Sequence, residues 1–287
     1  MDRQIIVFTS DKRQEQLATL LGNPKICNKL EEMDETEKVC EKIYVLPTQV
    51  SKLEQNQGLK EKLKEELIKL SGESETKVKV FGGALNTEWV SFFQAWKIPY
   101  WDFMKLPEVV EGNGWITAEG TIAEIIKYSN YSIRNQKILV TGYGCCGKKI
   151  AESLAALGAN VVVAARREEV CEEVRRDGYQ AVSFQKLEEG LEAFQTVVNT
   201  VPALVLKENH IRMLSSDALI VDIASKPGGT DFAAAEKYGI KAILALGLPG
   251  IYTTTSSALL LKNAISRYAP LRDFVKGDKL WIYQIII

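Results

Sequence analysis

KILVTGYGCCGKKIAESLAALGANVVVAARR, residues 137–167, decides the fold of this chain. It opens on a continuous apolar run, the pattern of a strand buried on both faces. It then turns through G-x-G-x-x-G at Gly142, Gly144 and Gly147. Helical spacing follows at 148–157, Gly158 stops it, and a second apolar strand runs from 160 to 165. Six residues holding three glycines are a weak signal. A strand before them and a helix after them make them specific for a dinucleotide-binding unit. Each glycine has its own task there: Gly142 permits the tight turn, Gly144 lets backbone approach a pyrophosphate, and Gly147 lets helix and strand pack closely. The helix start offers free N–H groups and a partial positive charge to phosphates. Tyr143, Cys145 and Cys146 are therefore expected beside the cofactor with the glycines. The alternative is a turn whose glycines serve packing alone.

The end of the second strand selects the cofactor. An NAD site carries Asp or Glu about 20 residues after the first glycine, to hold the ribose 2′-hydroxyl. This chain has Ala164-Ala165-Arg166-Arg167 instead. Arg166 and Arg167 suit a 2′-phosphate through charge-assisted hydrogen bonds, so NADP is expected, with NAD as the alternative. Both arginines could also be solvated residues at a helix start.

The same alternation extends outward. Strands are expected at 196–200, 219–223 and 241–245, helices at 168–177 and 254–267. Upstream, strands at 5–9, 42–48 and 78–82 alternate with helices at 14–21 and 59–70. Residues 96–114 are rich in Pro, Gly and aromatics and have no clean period, so they read as the exit from a first domain. A helix capped by Thr117 then leads into the glycine turn. The expectation is α/β, with two doubly wound domains. Residues 1–115 form a flavodoxin-like parallel sheet facing substrate or partner, residues 116–287 a Rossmann domain, and a cleft lies between them. The last helix and tail are free to pack back on the first domain. The tail WIYQIII, 281–287, is apolar and β-prone. It pairs with a sheet edge or packs on a partner, a second copy of the chain included, because exposure would make it an aggregation hazard.

Ligands of doubly wound sheets sit outside the carboxyl ends of the strands. Three further loops have that address. Asn199, Thr200, Val201 and Pro202 are expected near the nicotinamide ribose. Residues 222–231 bring Asp222, Ser225, Lys226, Gly228, Gly229 and Thr230. Residues 245–250 bring Gly247 and Pro249, ahead of Thr253 and Thr254 at a helix start. Lys226 suits an anionic substrate, and hydroxyls at 253–257 suit a carboxylate. Lys226 and Asp222 are the groups expected to move protons. Turn chemistry and helix capping account for each loop taken singly; three such loops on one edge favour a ligand. His210, the single histidine, reads as a capping or surface residue, and no carboxylate pairs with it in sequence.

Bulk properties exclude other classes. Lys plus Arg, 36, balances Asp plus Glu, 37, so no basic footprint for nucleic acid exists. The apolar runs fall far short of the roughly 20 residues of a membrane helix. The five cysteines are odd in number and lack metal-ligand spacing, which fits free thiols in a reducing compartment and no metal site. The N-terminus meets charge after one short apolar run, unlike a signal peptide, so a cytoplasmic protein is expected.

The segments NTVP (199–202), DIASKPGGTDF (222–232) and AEKYGIKAILALGLPGIYTTTSS (235–257) resemble the dipicolinate synthase family, in its dinucleotide-binding A chain. So do AEGTIAEIIKYSNYSI (118–133), the glycine turn with its helix, SDKRQEQLATLL (10–21) and FGGALN (81–86). The second half is more distantly similar to adenosylhomocysteinases and 2-hydroxyacid dehydrogenases. The resemblance implies oxidation of a cyclic condensation product of aspartate semialdehyde and pyruvate, a hydroxylated tetrahydrodipicolinate. The product is aromatic dipicolinate, made on a branch from the lysine/diaminopimelate pathway during sporulation, with NAD(P) taking the hydride. It also implies as partner the smaller, flavoprotein-like second chain of dipicolinate synthase. Arg13 and Asn86, at strand ends of the first domain, would then close on a small dicarboxylate. Another NADP-dependent dehydrogenase of small molecules, or a cofactor-binding subunit without turnover of its own, stay open beside this reading.

Overall fold

Strands that are apolar on both faces must be covered on both faces, and the simplest way is a parallel sheet with crossover helices. The computed structural model describes residues 3–22, 24–29, 32, 39–73 and 76–270; the apolar run at 281–287 lies outside them. The chain divides into two units. One holds the residues up to Val109 and those from Ala258 onward, the other Val110–Ser257.

The first unit contains β1 (Arg3–Val7), α1 (Lys12–Leu20), β2 (Lys25–Ile26), β3 (Glu41–Val45), α2 (Ser51–Glu54), α3 (Gln57–Ser71), β4 (Lys77–Gly82), α4 (Thr87–Ala95) and β5 (Tyr100–Asp102). Its strands are parallel in the order β2-β1-β3-β4-β5, the flavodoxin-like order, which switches direction between β1 and β3. Alternate residues feed two cores. Ile6, Tyr44 and Val80 meet the α3 stripe Leu59, Leu63, Leu67 and Leu70, with Trp89 and Phe93 of α4. Ile5, Val7, Ile43 and Val45 meet Leu17 of α1 and Leu261 and Ile265 of the closing helix.

An ion-pair cluster joins α3 to α4. Glu88 lies 2.7 Å from the Lys60 amine and 2.5 Å from that of Lys64. Hydrogen bonds from the two lysines hold its carboxyl at about 2. A carboxyl lowered by folding stabilises above its unfolded value, about 4.3, and that contribution disappears as pH falls towards 2. Glu88→Gln is expected to lower stability slightly near neutrality, where the contribution is fully present, and to flatten the acid-unfolding profile between those limits. The effect is small, because Glu88 is half exposed. An unaltered acid profile by circular dichroism contradicts the assignment.

The stretch at 96–114 is more ordered than its composition suggests. It contains β5 and the start of α5 (Pro107–Tyr128), so the helix expected from Thr117 begins a full ten residues earlier. Pro107 occupies the first helical position, where a missing N–H costs nothing. Gly112, Gly114 and Gly120 lower helix propensity, and the first two hide the opening turns in sequence. Packing requires two of them. A Cβ on Gly114 would stand 2.9 Å from the Cys145 sulfur, and one on Gly120 2.9 Å from the Leu248 Cβ. The chain passes between units within α5, at Val109 and Val110.

The second unit contains β6 (Lys137–Thr141), α6 (Cys145–Ala156), β7 (Asn160–Ala165), α7 (Glu168–Arg176), β8 (Gln180–Ser183), β9 (Thr196–Asn199), α8 (Glu208–Ile211), β10 (Leu219–Asp222), α9 (Phe232–Lys237), β11 (Lys241–Leu244) and α10 (Leu248–Ile251). The helix α11 (Thr254–Tyr268) then returns the chain to the first unit. The strands run parallel in the order β11-β10-β9-β6-β7-β8. This is the Rossmann order, and its two halves meet between β6 and β9. The short half-buried β8 is not foreseen in the sequence, because Gln180–Ser183 has neither an apolar run nor alternation. Among the described residues, no helix is long and apolar enough to cross a membrane.

Candidate cofactor and substrate site

The glycine turn lies at the β6/β9 switch point. Gly142 adopts φ +92°, and a Cβ there would stand 2.5 Å from the Thr200 hydroxyl. A Cβ on Gly147 would come within 2.3 Å of the Gly142 carbonyl oxygen. Around Gly144 the surroundings are open, with nothing within 4 Å of an added Cβ. The outer glycines thus pack the turn, and the middle one borders free space at the head of α6. No side chain caps that helix, so its first N–H groups face outward. The first unit differs here: at the head of α1, its corresponding helix, the Asp11 carboxylate accepts the Gln14 N–H. An uncapped start beside an open glycine is what a pyrophosphate requires, and these residues fit a dinucleotide.

The neighbours divide. Tyr143 is expected at the cofactor, but its side chain turns into the core. It is 7% exposed, donates to the Asp177 carboxylate at 2.8 Å and meets Tyr179 edge-on. Burial and the Asp177 hydrogen bond push its phenol well above the usual range, so only its backbone faces the turn. Cys145 is exposed and Cys146 half-buried, and burial raises both thiols. Arg166 and Arg167 follow β7, exposed; the Arg167 carbonyl accepts the Val170 and Cys171 N–H groups at the head of α7.

A row of buried polar side chains runs beneath the loops. Thr141, Asn199 and Asp222 end β6, β9 and β10, stand opposite one another in register and are wholly buried. The Thr141 hydroxyl donates to Asn199 Oδ1 at 2.6 Å, and Asn199 Nδ2 donates to Asp222 Oδ1 at 2.8 Å. Asp222 also accepts from the Ala224 N–H (3.0 Å), the Gly229 N–H (2.8 Å) and the Thr230 hydroxyl (2.7 Å). Asn199 further braces its own loop, accepting the Val201 N–H and donating to the Val201 carbonyl. Thr200 donates to the Thr141 carbonyl at 2.8 Å, and Pro202 is exposed.

This row revises the role of the 222–231 loop. Asp222, expected to move protons, does not reach the exposed edge; four donors occupy its oxygens. Gly228, Gly229 and Thr230, expected at a substrate, are buried inside the loop. A Cβ on Gly229 would stand 2.4 Å from the Val201 carbonyl oxygen. What the loop presents outward is Ser225, Lys226 and Pro227, all exposed. Further along, Gly247 caps α10 and is exposed, and Pro249 lies in the first turn of that helix. Thr253 is exposed at φ +47°, a costly conformation for a β-branched residue, and Thr254 opens α11. Thr141 was missed in the sequence; its only signal was a hydroxyl ending an apolar strand.

Other candidates already have partners. Arg13 is buried on the first turn of α1, 3.5 Å from Asp11, and donates to the Thr48 hydroxyl; burial lowers its pKa. Asn86 caps α4 by accepting the Trp89 N–H at 3.1 Å and donates to Glu54 at 2.6 Å. His210 Nδ1 accepts the Lys207 N–H at the head of α8, a capping role, and burial lowers its pKa. Among the described residues, no cluster of His, Cys, Asp or Glu could hold a metal ion.

The family described as alanine dehydrogenase/PNT, C-terminal domain, matches residues 113–276. The dipicolinate synthase A chain of Bacillus subtilis (strain 168) is 39% identical over 151 residues, 53% of this chain and 51% of that protein. An adenosylhomocysteinase of Aquifex aeolicus is 24% identical over 129 residues, 45% of this chain and 30% of that protein. The chain thus spans about half the length of the first relative and less of the second. In three dimensions, the crystal structure of the dipicolinate synthase A chain from Bacillus subtilis matches with a TM-score of 0.74 at 26% identity, covering 93% of this chain and 96% of that one.

Proposed function

The chain belongs to the alanine dehydrogenase/PNT C-terminal domain family, and on that premise we propose that it oxidises a hydroxylated tetrahydrodipicolinate to dipicolinate with NADP. In this reading it works in the cytoplasm of a spore-forming bacterium beside a flavoprotein-like second subunit. Its Rossmann domain is of the kind that binds a nicotinamide dinucleotide. The observation that carries the proposal is the likeness to the dipicolinate synthase A chain, which runs through both units.

A bound nicotinamide supplies the hydride acceptor. The residues of this chain bind and orient. Gly142, Gly144, Gly147 and the N–H groups at 145–147 hold a pyrophosphate. Arg166 and Arg167, exposed beyond β7, hold a 2′-phosphate through charge-assisted bonds. Lys226, at the exposed tip of its loop, pairs with a substrate carboxylate. The substrate loses water, one hydride and one proton, and its ring becomes aromatic. That driving force reduces the need for a general acid and base, in keeping with His210 serving as a cap.

The test is turnover. The chain, NADP+, the cyclic condensation product and a flavoprotein-like partner subunit are expected to yield NADPH and an ultraviolet-absorbing pyridine dicarboxylate in equal amounts. Absence of product with every component present contradicts the reading, and a substrate panel then separates another dehydrogenase from a subunit without turnover. For the cofactor, Arg166→Ala with Arg167→Ala is expected to weaken NADP+ binding by about a hundredfold or more, since each such bond contributes about 1.5–3 kcal/mol. NAD+ binding should change little. Equal affinity of the unmodified chain for both cofactors rules NADP preference out.

A further inference from the structure

We propose that the buried row Thr141–Asn199–Asp222–Thr230 positions the Lys226 loop against the glycine turn, so that Asp222 acts on the reaction through that loop and never touches the substrate. The proposal rests on the reading of Lys226 as the carboxylate-binding group.

Three observations carry it. The first is continuity. Thr141 immediately precedes Gly142, and Thr230 closes the loop whose tip is Lys226. Hydrogen bonds of 2.6, 2.8 and 2.7 Å join them through Asn199 and Asp222. The second is directionality. Asn199 presents its amide N–H to Asp222 and to the Val201 carbonyl, so its oxygen faces the Thr141 hydroxyl and the Val201 N–H. Every member is locked in one orientation, because a reversed amide would set donors against donors. The third is saturation. The Asp222 carboxylate takes four donors, two on each oxygen, from residues 199, 224, 229 and 230. Three of those lie on the loop that exposes Lys226. A buried network satisfied throughout rigidifies what it joins, and a positively charged tip on a rigid loop loses less entropy on binding a carboxylate.

Asp222→Asn keeps the shape of the side chain and breaks the pattern. A carboxamide accepts on one oxygen and donates from the other position, so it cannot serve four donors. Thr230→Val removes one donor isosterically, and Thr230→Ser restores it.

Steady-state kinetics of the full chain with its partner subunit, across pH, test the proposal, with NADP+ affinity measured separately by fluorescence. Thr230→Val is expected to raise the dicarboxylate KM about tenfold, the scale of one hydrogen bond to a charged acceptor. Its kcat and NADP+ affinity should stay within about twofold, an allowance for small adjustments in neighbouring packing. Thr230→Ser should return KM to near the unmodified value. Asp222→Asn should raise KM at least as far and leave the shape of the kcat–pH profile unchanged. If Asp222→Asn instead removes a limb of that profile with KM unaltered, Asp222 acts directly on the substrate and the proposal falls. It falls equally if Thr230→Val leaves KM unchanged. Should the unmodified chain not turn over the dicarboxylate, the function reading fails, and amide hydrogen exchange at 224–230 still decides the row. Faster exchange in Thr230→Val, reversed in Thr230→Ser, supports it; equal exchange in all three overturns it.

Discussion

Gly144→Val is expected to leave the protein folded and remove dinucleotide binding, and Gly147→Ala to damage the fold itself. The smaller change does the structural harm. Gly144 has φ −79° and ψ −168°, an extended conformation that a β-branched residue adopts readily, and an added Cβ meets nothing within 4 Å. Loss of a glycine helix cap costs about 1 kcal/mol, so melting moves by roughly 2–4 °C. The valine methyl groups, however, fill the space through which backbone N–H groups reach a pyrophosphate, and NADP+ affinity should fall by about a hundredfold or more. Gly147 is the opposite case. Its Cβ would overlap the Gly142 carbonyl oxygen at 2.3 Å, backbone against backbone. Neither atom can rotate away, so the helix must leave the strand, at about 3 kcal/mol and roughly 6–12 °C. Thermal melts and a fluorescence titration of both variants separate the two effects. A Gly144→Val protein that binds NADP+ normally, or a Gly147→Ala protein that melts normally, contradicts this division of labour.

Gly229→Ala is expected to destabilise most. Its Cβ would stand 2.4 Å from the Val201 carbonyl oxygen, 2.5 Å from Asn199 Nδ2 and 2.6 Å from the Ala203 carbonyl oxygen. Relief of all three contacts requires the 199–203 loop and the 225–230 loop to part. Parting costs the Gly229 N–H its bond to Asp222, and its carbonyl the bonds from the Val205 and Leu206 N–H groups. A loss of about 4 kcal/mol or more follows from overpacking together with broken buried hydrogen bonds. Had Gly229 faced the substrate, alanine there would raise KM and leave melting unchanged. Calorimetry beside a KM measurement tells these outcomes apart, and an unchanged melt contradicts the buried placement.

The contrast between glycines shows which features sequence can reveal. The turn at 142–147 was legible because its meaning is local: strand, turn and helix follow one another within a few residues, and β7 at Asn160–Ala165 falls where the apolar run places it. The placement of Arg166 and Arg167 just beyond β7, exposed, was legible for the same reason, lying at a fixed distance beyond that motif. Both sheet classes followed from alternating elements. The 222–230 loop was not legible in the same way. Asp222 showed itself as a polar end to an apolar strand, but three of its four partners come from β9 and from seven and eight residues onward. Only the fold decides whether such a carboxylate faces solvent or four donors. Tyr143 was misread because its direction depends on the face of the turn to which Asp177 is brought. The opening turns of α5 were hidden by Gly112 and Gly114, the second of which packing against Cys145 demands.

One arrangement is central: a nicotinamide dinucleotide on the uncapped head of α6, with a dicarboxylate beside it at the tip of the Lys226 loop. A crystal structure of the chain with NADP+ and dipicolinate tests it directly. The predicted result has the pyrophosphate on the N–H groups at 145–147, the 2′-phosphate between Arg166 and Arg167, a ligand carboxylate on Lys226, and Asp222 still enclosed by its four donors. A dinucleotide bound elsewhere, or a dicarboxylate that contacts Asp222 and leaves Lys226 in solvent, would contradict it.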